Sequence, residues 1–126
     1  MSASQIIHVV TAHNATRDSL GILLKVEGYT VKKYASIPSF LAKIEQTDAA
    51  SCILADAQIP GMDGLDLLAA LNERGIFFPV IVMSGIADHE LETTVRMQGA
   101  VNFFETPLDP EILLAAIRNA LTLSHN

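Results

Sequence analysis

The chain has 126 residues, half of them hydrophobic, with a single cysteine and a formal charge of −6 at pH 7. That length suits one domain able to bury a real core, expected here over residues 1–126. The acidic balance, with a pI near 5.0, speaks against direct contact with nucleic acid, which needs clustered Lys and Arg to displace counterions from phosphates. Cys52 lies in the apolar run Cys52-Ile53-Leu54-Ala55, so a disulfide framework is excluded and the thiol reads as a small core residue. Met1-Ser2-Ala3-Ser4-Gln5 has no basic region of a signal peptide, and no apolar run approaches the ~20 residues that span a bilayer. The expectation is a cytoplasmic chain without membrane contact.

Short β-branched or apolar runs alternate with longer segments of helical period, the sequence mark of βαβ units around a parallel sheet. Ile6 to Val10 is the first strand, nearly continuous in apolar residues like an inner strand covered on both faces. A helix follows with Leu20, Leu23, Leu24 and Glu27 on one stripe, and Gly28 stands where a left-handed cap would end it. Tyr29 to Tyr34 is more polar, and its lysines suit an edge strand. Ser36 can cap a second helix carrying Phe40, Leu41 and Ile44. Ser51 to Ala55 is the third strand; Leu65, Leu68 and Leu71 mark a third helix closed by Gly75. Val80 to Met83 is again an inner strand, followed by a helix from about Asp88 to Met97 before Gly99. Val101 to Phe104 is the fifth strand. The last helix has Asp109 at the cap, Pro110 at its first position and Leu113, Ile117, Ala120 and Leu121 on its inner stripe. No repeat or linker divides these elements.

In an open parallel sheet, ligands bind beyond the carboxyl ends of the strands, at the switch point of the winding. That rule gathers Thr11-Ala12-His13-Asn14, Asp56, Ser84-Gly85 and Glu105-Thr106-Pro107 at one shallow site. Asp56 is the informative member. A carboxylate straight after a buried strand, followed by a glycine-containing turn to Gly64, is either aimed at a ligand or an ordinary loop-capping aspartate, and spacing alone does not choose.

The stretch Ile53-Leu54-Ala55-Asp56-Ala57-Gln58-Ile59-Pro60-Gly61-Met62-Asp63-Gly64-Leu65-Asp66-Leu67-Leu68 resembles the phosphoacceptor segment of the receiver domains of two-component response regulators. Pro79-Val80-Ile81-Val82-Met83-Ser84-Gly85 is similar to the family's fourth strand, and Gly99 to Leu108 to its fifth, so the resemblance covers essentially the whole chain. It implies a flavodoxin-like α/β sandwich, a parallel sheet in the order 2-1-3-4-5 flanked by helices. It also implies Asp56 as the phosphoacceptor, Ser84 as the hydroxyl that bonds the phosphoryl group, Phe103 as the aromatic switch, and the Gln58 carbonyl as a backbone ligand of the family's Mg²⁺.

Three positions depart from that pattern. The acidic pair that holds Mg²⁺ is replaced by Thr11 and Ala12, and the lysine before the proline by Thr106. Phosphoryl transfer is catalysed chiefly by positioning and by cations that neutralise the transferring oxygens, and a lost electrostatic donor at such a site costs ~10²- to 10³-fold in rate. Asp56 and a carbonyl alone are poor ligands for an ion that wants near-octahedral oxygen coordination. We therefore expect no resident cofactor, at most weak Mg²⁺, and inefficient phosphorylation of Asp56. His13 could approach Asp56 as a metal ligand or protonated partner, but a solvated loop histidine is the commoner outcome.

Taken together, these residues predict a pseudo-receiver acting through protein contacts, without enzymatic activity of its own. Its implied partners are a histidine kinase or an output domain, and the family's homodimerisation through the fourth and fifth helices is left open. It could stand alone or form the N-terminal part of a transcriptional regulator. The alternatives are a conventional receiver that accepts phosphate from a histidine kinase, a phosphotransferase and a nucleotide-binding protein. A haloacid-dehalogenase-like phosphotransferase wants a carboxylate where Gln58 stands, and a nucleotide site wants a glycine-rich turn where Thr11 to Thr16 has none.

Overall fold

The computed structural model describes residues 5–44, 51–58, 63–86 and 88–124. Within them five strands and five helices alternate: β1 (Ile6–Val10), α1 (Asn14–Val26), β2 (Thr30–Tyr34), α2 (Ile37–Leu41), β3 (Ser51–Asp56), α3 (Gly64–Arg74), β4 (Val80–Ser84), α4 (His89–Met97), β5 (Asn102–Glu105) and α5 (Pro110–Ser124). All pairings are parallel and the sheet order is β2-β1-β3-β4-β5, the flavodoxin-like order expected from the sequence.

A parallel sheet must be covered on both faces, and alternate side chains along each strand serve the two. Val10, Ile53, Ala55, Val80 and Val82 point to one face, where they pack with Phe40, Leu67, Leu71 and Val95 of α2, α3 and α4. Ile7, Val9, Cys52, Leu54, Ile81 and Met83 point to the other and meet Leu20, Leu24, Leu113, Ile117 and Leu121 of α1 and α5. Each such side chain, fully withdrawn from water, contributes about 1.5–3 kcal/mol before entropy is counted. Strand β2, at the edge, is exposed at most of its positions, as its lysines foretold. β1 carries a buried histidine: the ring of His8 bonds the Tyr34 hydroxyl at 3.3 Å and Ser51 Oγ at 3.4 Å and lies among the rings of Tyr34, Phe40 and Phe78.

The helices start where short polar side chains satisfy their free amides. Ser36 Oγ accepts from Ser39 N, Asp88 Oδ1 from Glu90 N and Leu91 N, and Asp109 Oδ1 from Glu111 N and Ile112 N. Asp63 and Asp66 cap α3 reciprocally. The predicted closures of α1 and α3 are left-handed glycines, Gly28 at φ 95° and Gly75 at φ 69°. Among the described residues no helix is long and apolar enough to cross a membrane.

Two stripe assignments are corrected. Glu27 is exposed, because α1 ends at Val26 and its inward residues are Leu20, Gly21 and Leu24. In α3 the inner stripe is Gly64, Leu67, Leu68 and Leu71, leaving Leu65 only partly buried. The rotation follows from close contact: a Cβ on Gly64 would lie 3.3 Å from the Ala57 Cα, so the first turn of α3 leans on the turn after β3. Strand limits also move by a residue. β2 begins at Thr30; β3 and β4 run on into Asp56 and Ser84; β5 is Asn102–Glu105, with Val101 left half out in the turn after Gly99.

Cys52 is buried, and burial pushes its thiol from the ordinary 9.0 up to about 12. The thiolate is the reactive form, so iodoacetamide at mildly alkaline pH should leave the native protein unmodified while alkylating the urea-unfolded chain completely, as read by intact mass. Between those two values the unfolded thiol has lost its proton and the folded one has not, so stability should fall as pH rises through that window. In the same core, Ile81→Ala should lower the urea-unfolding free energy by about 2–5 kcal/mol.

Candidate functional site

The carboxyl ends of β3, β4 and β5 and the turn after β1 frame a cleft of about 300 Å³ lined by His13, Thr16, Asp56, Gln58, Met83, Gly85 and Thr106. The four chain segments named from the sequence therefore do converge. Asp56, the last residue of β3, is half buried and held from two sides. Its Oδ2 accepts a hydrogen bond from Thr11 Oγ1 at 3.2 Å and its Oδ1 one from the backbone N–H of Gln58 at 3.1 Å. The turn itself is pinned by Ala57 N donating to the Met83 carbonyl at 2.7 Å and Gly64 N to the Ala57 carbonyl at 3.3 Å. Ile59-Pro60-Gly61-Met62, part of the matching segment, lies outside the described residues.

Thr11 is fully buried. Its backbone N–H continues the sheet by donating to the Tyr34 carbonyl at 3.1 Å, and its hydroxyl also accepts from His13 N at 3.2 Å. Arg17, one turn into α1, reaches back with Nη1 to the Thr11 carbonyl at 2.8 Å and with Nη2 to Asn14 Oδ1. Sequence reasoning missed Arg17, although its place in the first turn of α1 puts it within reach of the preceding loop. Ala12 is exposed in that turn. His13 lines the cleft, yet among the described residues no hydrogen bond or ion pair joins its ring to Asp56, which is the solvated outcome.

On β4, Ser84 is fully buried. Its hydroxyl faces the Ile86 carbonyl at 3.1 Å and Gln58 Oε1 at 3.2 Å, and accepts from Ile86 N at 3.1 Å. The Ser84 carbonyl in turn accepts from Thr106 N at 2.8 Å, and Thr106 precedes Pro107 through a cis peptide bond. Phe103 sits opposite Val82 in the β4–β5 register and is buried with Val82, Val95 and Ala100. Ser84 follows Val80 and Val82 on the same face of β4, so it and Phe103 are diagonal neighbours on one side of the sheet.

The cleft therefore offers one carboxylate, one imidazole, an amide and hydroxyls, with no lysine or arginine among its lining residues. Among the described residues no three or more His, Cys, Asp or Glu gather to hold a metal ion. Asp56 is the one carboxylate among the described residues that line the cleft, and Thr11 Oγ1 is bonded to it.

A doubly covered parallel sheet with a carboxylate at the end of its central strand, a hydroxyl at the end of the neighbouring strand β4 and an aromatic ring on the edge strand β5 defines a receiver-type signalling module. The model for the response regulator receiver domain matches residues 7–118, and the chain belongs to that family. It is similar to the transcriptional regulatory protein FixJ of Azorhizobium caulinodans, 38% identical over 96% of this chain and 57% of that protein. It is also similar to the response regulator protein TmoT of Ectopseudomonas mendocina, 36% identical over 94% of this chain and 54% of that protein. The chain thus spans a little over half the length of these curated relatives. In structure it resembles FixJ-N, with a TM-score of 0.86 at 30% identity over 97% of this chain and 96% of that one. Full-length FixJ from B. japonicum gives 0.83 at 32% identity, covering 94% of this chain and 60% of that one.

Thr11→Val removes the donor to Asp56 and the acceptor of His13 N at a buried position. It should cost about 1–3 kcal/mol in urea unfolding, and Thr11→Ser, which keeps the hydroxyl, should recover most of that loss.

Proposed function

We propose that this chain is an atypical receiver, a single cytoplasmic module that signals through protein contacts and accepts phosphoryl groups at Asp56 only inefficiently. The observation that carries the reading is the Thr11 Oγ1 to Asp56 Oδ2 hydrogen bond. A neutral hydroxyl occupies the place where the family's acidic pair anchors its cation, Ala12 supplies no ligand beside it, and Thr106 supplies no ammonium. Without those cations, charge on a transferring phosphoryl group goes unneutralised, and catalysis of the transfer loses its largest contribution.

The output machinery is retained in this reading. Ser84 and Phe103 form the switch, and the surface of α4, β5 and α5 presents its result to a partner by population shift. The likeness to FixJ, a transcriptional regulatory protein, supports a receiver that works as the N-terminal part of a transcriptional regulator, with an output domain and a histidine kinase as partners. The chain itself catalyses nothing in this scheme. It provides an input site and a shape.

Incubation with acetyl phosphate, with and without Mg²⁺, followed by intact-mass measurement, tests this. The wild type should stay essentially unmodified. Restoring the acids and the lysine together (Thr11→Asp, Ala12→Asp, Thr106→Lys) should raise Mg²⁺-dependent modification by ~10²-fold or more, and adding Asp56→Ala to that variant should abolish it. Stoichiometric modification of the wild type that disappears in Asp56→Ala would instead establish a conventional phospho-receiver.

A further inference from the structure

Resting on the reading of Ser84 and Phe103 as a switch, we propose that Gln58 is its internal latch, a positioning residue whose side-chain amide holds Ser84 toward the Asp56 cleft in place of a bound phosphoryl group. Gln58 is tied to this turn twice, by different parts of the residue. Its backbone N–H donates to Asp56 Oδ1 at 3.1 Å, and its side-chain Oε1 lies 3.2 Å from the Ser84 hydroxyl. The first bond fixes where the residue sits, and the second spans from the end of β3 to the end of β4.

A serine hydroxyl has one proton to donate. Ser84 has two acceptors for it, Gln58 Oε1 on the cleft side and the Ile86 carbonyl in the loop leading to α4. These acceptors compete. When Gln58 takes the proton, β4 is bound to the Asp56 turn; when Ile86 takes it, the hydroxyl is satisfied wholly within its own loop. Gln58 therefore biases the hydroxyl toward the cleft with no ligand present. The buried position of Phe103, diagonal to Ser84 on the same sheet face, is the packing that accompanies that bias. An oxygen-rich group brought to Asp56 competes with the Gln58 amide and the Ile86 carbonyl for the one Ser84 proton.

Gln58 is exposed, so its side chain can be changed at little cost to folding, and a substitution leaves its backbone bond to Asp56 in place. The test uses NMR spectra of the free protein, without phosphodonor or Mg²⁺, so that it is independent of whether Asp56 can be phosphorylated. Gln58→Leu, close in size but unable to accept a proton, should shift the amide resonances of Ser84, Gly85 and Ile86, change the Ser84 χ1 couplings and broaden or shift the Phe103 ring signals. Gln58→Asn, which keeps a neutral amide acceptor without adding charge beside Asp56, should bring the Ser84 couplings and the Phe103 ring signals part of the way back to wild type. Ser84→Ala should move Phe103 in the same sense as Gln58→Leu. If Ser84→Ala moves Phe103 and Gln58→Leu does not, the latch is overturned and the switch reading stands. If neither variant moves Phe103, both fall.

Discussion

Every strand of this sheet runs in the same direction, so helices must cover both of its faces and the inner strands can hold almost nothing polar. All five residues of β4 are buried, as are the first five of β3 and the last four of β1. Within that shell a polar side chain survives only with partners: His8 is bonded by Tyr34 and Ser51 across neighbouring strands. Chemistry that needs water, charge or a ligand is displaced to the strand ends, where the backbone leaves the sheet. Thr11, Asp56 and Ser84 stand at that boundary, near enough to the core to be held rigidly and near enough to solvent to be reached.

That boundary sets the problem Asp56 poses. A half-buried carboxylate without a neighbouring cation must find its stabilisation in hydrogen bonds. A second and third acid at Thr11 and Ala12 would place like charges beside it, an arrangement that needs a bound cation to be tolerable. Thr11 resolves this by turning a repulsive neighbour into a donor, and its own carbonyl is secured by Arg17. The arginine's charge is spent on the backbone of the β1–α1 turn rather than on the cleft. In the reading proposed above, Thr11 and Ala12 are physically consistent with one another, since acids at both places would repel Asp56 unless a cation were bound between them; that repulsion does not account for Thr106.

The sheet order, its inner and edge strands and the caps at Ser36 and Asp109 were legible because each depends on a few adjacent residues or on one period. The errors have equally local causes. A period of 3.6 permits neighbouring stripes, and the tight seat of Gly64 against Ala57 decided between Leu65 and Leu67 in a way that no pattern in α3 reveals. Strand ends were drawn too early at Ala55 and Met83 because polarity was taken as the stop, whereas backbone pairing is indifferent to the side chain and carries on into Asp56 and Ser84. The site positions were readable from the family's spacing. The bonds between them were not, since Thr11 and Asp56 are 45 residues apart and Gln58 and Ser84 are 26 apart.

Those long-range bonds make the strand ends a connected set. Thr11 joins β1 to Asp56 at the end of β3, Gln58 joins the Asp56 turn to Ser84 at the end of β4, and the Ser84 carbonyl takes the N–H of Thr106 just past β5. The last of these contacts lies beside β5, whose Phe103 shares one buried cluster with Val82 and Val95. Phosphorylation is one way to pull on this chain of contacts, because it adds charge and acceptor oxygens at Asp56. It is not the only one: any partner or ligand that draws the Gln58 amide or the Thr11 hydroxyl away reaches the same strand. In the reading proposed above, input at Asp56 and output at Phe103 are joined through hydrogen bonds from Asp56 by way of Gln58 to Ser84 and through the packing of Phe103 against its cluster.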